Sequence, residues 1–153
     1  TNEEKHSFEQ KWMNVVKHIE ANLDKDPKSD FGITMAKEVM DLVNGLYGKE
    51  HANLKFAIWE KGFKQGQFGA EHGMSPEIVQ WIDKATQAYY GGRTTEILQL
   101  SEVNSDKAKQ LWKALMEEMY GNYSKELKED HINEVMESDA SPAAKKWLKE
   151  NFK

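Results

Sequence analysis

One sequence pattern occurs twice in this chain and predicts a helix each time. It consists of Ser-Pro, then Trp five residues after the proline, then an aliphatic residue, and it begins at Ser75 and again at Ser141. Serine is a favoured N-cap residue, and proline suits the first helical position. The first copy continues with apolar residues at helical spacing as far as Tyr90. The repetition predicts two related helical units, the first of which is closed by this first helix.

Apolar residues recur at helical spacing along most of the chain. This spacing is typical of amphipathic helices, and no run of residues sustains the alternation of apolar and polar residues that indicates a strand. We therefore expect a compact all-α domain of about seven or eight helices. The predicted helices cover residues 1–23, 33–47, 49–62, 75–90, 105–120, 124–137 and 141–152, with 94–100 as a short helix or a lead-in.

Proline and glycine mark the predicted ends of several helices. Residues 24–32, which include Pro27, predict a loop after the first helix. Gly91 and Gly92 predict a break in the chain, which we take as the boundary between the two units. The expected organisation is a first helical unit over residues 1–90 and a shorter related unit, residues 91–153, packed on the first.

A second anchor besides the Ser-Pro helix relates the two units. Tyr47-Gly48 matches Tyr120-Gly121, and the core positions of the helices that precede them are apolar in both units. Between its anchors the second unit is shorter, and the missing residues correspond to the glycine-rich segment of the first unit, residues 62–73. The agreement favours duplication, although two amphipathic helices of similar length also look alike without it.

Composition excludes several classes of protein. A formal net charge of −5 argues against direct nucleic-acid binding, which normally needs a basic surface. No apolar run approaches the roughly 20 residues of a membrane-spanning helix. Without cysteine there is no disulfide, thiolate metal site or covalent cysteine chemistry, in agreement with a reducing, cytoplasmic location. Because the chain begins at Thr1, we expect it to be a processed or excised piece of a longer protein.

No catalytic or metal-binding motif stands out in the sequence. Glu3 and His6 form one half of a di-iron type ligand set, but neither a second such pair nor the two further carboxylates that the site needs stand out. A solvated helical turn explains them better. His72 beside Glu71 is more simply a surface histidine than a ligand contact. We therefore expect no enzyme activity, no metal and no cofactor.

Large aromatic residues are concentrated in the first unit. Aromatic-lined apolar pockets are the usual sites for small molecules, and aromatic rings stack well on flat heteroaromatic ligands. Ordinary core packing is the alternative explanation for some of these rings. The aromatic residues concerned are Trp12, Phe56, Trp59, Phe63, Phe68, Trp81, Tyr89 and Tyr90.

The order and spacing of these features resemble the TipAS antibiotic-recognition domain, over residues 8–90. That domain is the effector half of some MerR-family transcription regulators and also occurs in albicidin-binding proteins. This chain departs from the family pattern at Glu38-Val39, where the family usually has Arg-Trp, although Trp112 occupies the matching position in the second unit. The matching pieces are Trp12, Asp26-Pro27, Met35-Ala36, Leu42, Gly48, Ser75-Pro76-Glu77, Trp81-Ile82 and Ala85.

The resemblance implies an all-α fold that binds bulky aromatic or heterocyclic antibiotics between its helices, as in drug sensing and drug resistance. Some family members trap a reactive ligand through a cysteine, so binding by this cysteine-free chain would be non-covalent. The DNA-binding region of a MerR regulator is absent, so this piece would not contact nucleic acid directly. It is either an effector domain detached from its DNA-binding domain or a stand-alone binder.

The leading hypothesis is therefore non-catalytic binding of a hydrophobic or aromatic small molecule by the first unit. The glycine-rich segment would become ordered over the ligand. The alternative hypothesis is a helical protein–protein interaction module that uses methionine-rich faces. The predicted ligand-binding residues are Trp12, Trp59, Phe63, Phe68, Trp81 and Tyr89.

Overall fold

The computed structural model describes residues 2–47, 75–121 and 125–153. Within these ranges the chain is all-α, as predicted, and contains no strand. The expected seven or eight helices are slightly more than the six that the described ranges contain. The predicted helix 49–62 and the glycine-rich segment 62–73 lie outside the described residues. The six helices are α1 (Asn2–Glu20), α2 (Asp30–Tyr47), α3 (Pro76–Ser101), α4 (Ser105–Tyr120), α5 (Lys125–Glu137) and α6 (Pro142–Phe152).

Helix boundaries agree best with prediction where the capping residues are strong. Asn104 caps α4 by accepting a hydrogen bond from the Lys107 amide, and α4 covers the predicted residues. α1 ends at Glu20, before the predicted end, and α2 begins at Asp30, before the predicted start. Ser29 explains the early start of α2, because its hydroxyl accepts from the Gly32 amide at 3.3 Å and its carbonyl oxygen accepts from the Ile33 amide at 2.9 Å.

The predicted break at Gly91-Gly92 is wrong, because α3 runs through both glycines without interruption. Glycine in a helix costs only about 1 kcal/mol relative to alanine, which tertiary contacts readily offset. The two residues directly after the glycines make such contacts: Arg93 forms an ion pair with Glu118 of α4, and Thr94 is buried. The chain divides into two compact units, Thr1–Tyr90 and Gly91–Lys153, and the division falls inside α3.

The first unit buries one face of each of its described helices. The tryptophan of the first Ser-Pro helix, Trp81, donates its indole N–H to the carbonyl oxygen of Lys25, at 2.9 Å. It thereby connects α3 to the loop that precedes α2. Among the described residues of this unit, the buried side chains are those of Trp12, Ile19, Met35, Ala36, Val39, Met40, Ile78, Val79, Trp81, Ile82, Ala85, Thr86 and Tyr90.

The second unit repeats this arrangement internally. Trp147 of α6 donates its indole N–H to the hydroxyl oxygen of Ser105, at 2.8 Å, at the start of α4. The hydrogen-bond partner of this tryptophan thus lies in the loop before α2 in the first unit and at the first residue of α4 in the second. Both α2 and α4 end in Tyr. Both serines act as caps, Ser75 accepting from the Ile78 amide and Ser141 from the Ala144 amide. The two Ser-Pro helices are thus capped in the same way, and the duplication itself stays a prediction.

The core of the second unit is built around Trp112, the largest fully buried side chain among the described residues. Its ring lies 5.9 Å from that of Phe152 and 5.6 Å from that of His131. The other buried apolar residues of this unit are Ile97, Leu98, Ala108, Leu115, Met116, Ile132, Val135, Ala144, Trp147 and Leu148.

None of the described helices is long and apolar enough to cross a membrane.

Candidate functional site

An open groove with a volume of about 550 Å³ lies within the Gly91–Lys153 unit. Five segments form it: the second half of α3, the connection between α3 and α4, the helix α5, the connection between α5 and α6, and the first turn of α6. Its lining residues are Gly91, Thr94, Thr95, Leu98, Gln99, Glu102, His131, Glu134, Val135, Ser138, Asp139, Ala140, Ser141 and Ala144.

The floor of the groove is apolar and belongs to the core. Leu98, Val135 and Ala144 each expose less than a tenth of their surface and come from three different helices. Small residues, Gly91 and Thr95, lie on the same stripe of α3 as Leu98 and leave the space open. An apolar floor of this kind accommodates the hydrophobic body of a small molecule.

Carboxylates are the charged groups among the described residues that line the groove. Glu102, Glu134 and Asp139 are exposed residues on three different segments, and all three line it. Glu102 accepts a hydrogen bond of 3.4 Å from the hydroxyl of Ser141, the capping residue of α6. Neither lysine nor arginine occurs among the described residues that line the groove, so its local charge is negative.

One wall of the groove contains a hydrogen-bonded chain of three side chains. The Tyr120 hydroxyl lies 2.8 Å from Nδ1 of His131, and the Thr94 hydroxyl lies 3.2 Å from Nε2. Burial, with the nearby charges of Glu134 and Asp130, raises the pKa of Tyr120 to about 12. The phenol therefore keeps its proton, and a neutral imidazole donates from one ring nitrogen and accepts at the other.

His131 is held as a neutral imidazole by this environment. Burial lowers the pKa of His131, and the charge of Glu134 opposes that effect in part. Both ring nitrogens have partners, so the ring is a fixed polar wall rather than a group with a nitrogen open to the groove. No group of three or more Asp, Glu or His side chains in the described ranges is arranged to hold a metal ion.

The buried histidine predicts that the second unit loses stability in acid. A lowered pKa means that the unfolded chain binds the proton more tightly than the folded chain. The His131 contribution is therefore fully present above the unfolded pKa of about 6.5 and is lost as the pH falls below it. The free energy of unfolding can be measured with urea at about pH 7.5 and about pH 5.5. The decrease between the two pH values should be smaller for His131→Gln than for the unmodified chain. An identical loss in both proteins would contradict the buried neutral imidazole.

The predicted aromatic site residues that the structure describes lie in the first unit. Trp12 and Trp81 are 5% and 6% exposed and belong to its core. Trp12 stacks on Phe8 with ring centroids 6.1 Å apart, and Tyr89 is half-buried with its ring 5.0 Å from that of Tyr90.

None of these three predicted residues, Trp12, Trp81 and Tyr89, lines the groove. The other predicted residues, Trp59, Phe63 and Phe68, lie outside the described residues. Whether the six residues bind a ligand stays a prediction.

Sequence reasoning did not identify the groove residues. A usable signal exists on α3 and the residue that follows it: Gly91, Thr95, Leu98 and Glu102 recur at helical spacing and place small and polar residues on one stripe.

Comparison of the chain with family models, with curated proteins and with solved structures found no match.

Proposed function

We propose that this chain binds bulky aromatic or heterocyclic small molecules, such as antibiotics, without catalysing a reaction. The observation that carries the proposal is the groove of the Gly91–Lys153 unit. Its volume of about 550 Å³ is within the range of small-molecule pockets, roughly 300–1,000 Å³. An apolar floor with polar groups placed around it is the usual composition of such a pocket.

His131 contributes a hydrogen-bonded wall to the groove. In this groove both imidazole nitrogens already have partners, Tyr120 and Thr94, within 3.2 Å. The groove thus offers shape, hydrogen bonding and charge, which are the requirements of recognition.

The resemblance to the TipAS domain extends the proposal to a biological role. The chain would act in the cytoplasm as the effector domain of a MerR-type transcription regulator, joined to a DNA-binding domain, or as a stand-alone drug-binding protein. The first unit would supply a second ligand site through its aromatic residues, Trp12, Trp59, Phe63, Phe68, Trp81 and Tyr89.

A substitution that fills the groove tests its role. Gln99 lines the groove on an exposed position of α3, so Gln99→Trp adds bulk there without disturbing the core. We expect this variant to bind at least about tenfold more weakly than the unmodified chain, because the indole occupies space that the ligand needs. The measurement is calorimetric titration with a panel of heteroaromatic antibiotics that includes thiopeptides and albicidin-like compounds.

Gln110→Trp is the matched control, since Gln110 is exposed on α4 and does not line the groove. Equal affinity of the Gln99 and Gln110 variants, combined with loss of binding in Trp59→Phe, would move the ligand to the first unit. No binding to any compound by the folded chain, with saturable binding of an amphipathic peptide, would favour the protein–protein interaction module instead.

A further inference from the structure

The groove combines an apolar floor with a rim of a single charge sign. Glu102, Glu134 and Asp139 contribute carboxylates from the α3–α4 connection, from α5 and from the α5–α6 connection. The lining residues described above include no lysine or arginine to neutralise them. The one imidazole of the lining, His131, is held neutral between Tyr120 and Thr94.

This combination selects among small molecules by charge. A concave surface lined by one sign of charge, with an apolar wall beneath, concentrates the electric field in the groove. A cationic ligand gains from the carboxylates and from burial of its apolar body on Leu98, Val135 and Ala144. An anionic ligand of the same shape gains only the burial and is repelled by the rim.

Resting on the binding function proposed above, we propose that this groove takes organic cations. The ligand class is a molecule with a fixed positive charge or a protonated amine on an aromatic or otherwise apolar body. A bare metal ion does not fit this chemistry, because in the described part of the chain no three Asp, Glu or His side chains are arranged to hold one.

Two ions of nearly identical shape and opposite charge provide the test. Tetraphenylphosphonium and tetraphenylborate both present four phenyl rings around a central atom, so burial on the floor is the same for both. Each exposed carboxylate of the rim is expected to favour the cation by roughly twofold to fivefold. Calorimetric titration of the full chain at low salt should therefore give tetraphenylphosphonium an affinity about tenfold or more above that of tetraphenylborate.

Removal of the rim charges should remove that preference. The triple variant Glu102→Gln, Glu134→Gln, Asp139→Asn keeps the size of every side chain, and the amide oxygen introduced at position 102 can still accept from the Ser141 hydroxyl. The control triple variant Asp106→Asn, Glu117→Gln, Glu129→Gln changes the net charge equally at exposed positions that do not line the groove. We expect the cation preference to fall about tenfold in the rim variant and to persist in the control.

The outcomes separate this inference from the function on which it rests. Equal affinity for both ions, with both lost in Gln99→Trp, would overturn the charge selectivity and leave the groove as a small-molecule site. A preference that survives in the rim variant would likewise overturn it, since net charge alone would then explain the selectivity. Failure of both ions to bind would overturn it outright, and failure of the antibiotic panel as well would remove the proposed function.

Discussion

Replacement of Gly32 by alanine is expected to lower the free energy of unfolding by about 2–3 kcal/mol. A Cβ atom at Gly32 would lie 1.9 Å from the carbonyl oxygen of Pro27 and 2.4 Å from its carbonyl carbon. Both are backbone atoms, so no flexible side chain can turn aside. Pro27 is also held in place, because the Asp26 carboxylate accepts from the Lys28 amide and the Asp26 carbonyl accepts from the Ser29 amide.

Urea unfolding followed by circular dichroism measures this loss. Gly45→Ala is the matched control in the same helix, since no atom of the described residues lies within 4 Å of a Cβ placed there. That variant should be unchanged or more stable by up to about 1 kcal/mol. If Gly32→Ala proved as stable as the control, that result would contradict the close contact between Gly32 and the Pro27 backbone.

Trp112→Ala is expected to destabilise the second unit by about 3–5 kcal/mol. Trp112 is 1% exposed, and its indole packs against the rings of His131 and Phe152. Truncation to a methyl group removes this burial and leaves a cavity between α4, α5 and α6. The same unfolding measurement reports the loss.

Its neighbour Leu111 supplies the control, because Leu111 is 41% exposed on the same helix. Leu111→Ala should cost less than about 1 kcal/mol, as expected for a surface position with few contacts. Similar losses in the two variants would contradict the placement of Trp112 at the centre of the unit's core.

Local sequence signals were sufficient for most of the helices. Ser141-Pro142 and the apolar spacing after them predicted α6, and the apolar spacing of residues 105–120 predicted α4. The prediction was wrong at Gly91-Gly92, because the low helix propensity of glycine predicts a break there, whereas contacts between residues distant in sequence stabilise a continuous helix. The ion pair between Arg93 and Glu118 joins residues on different helices, and helix propensity contains no information about it.

The groove was harder to predict than the fold for the same reason. Its lining comes from separate segments, and no short motif connects Leu98 with Val135 or Ala144. In the sequence nothing distinguishes His131 from the other histidines. In the structure Tyr120 and Thr94 contact its two ring nitrogens. Periodicity identifies which residues of a helix are buried, whereas the partners of a polar side chain depend on tertiary packing.

The continuity of α3 determines how this chain can be dissected. A fragment that stops at Tyr90 leaves the last four carbonyl groups of the helix without the amides that follow them. A fragment that starts at Gly91 begins its helix with two glycines, which are poor helix formers. Truncations intended to isolate either unit must therefore overlap, the first extending through Ser101 and the second beginning at Ser75.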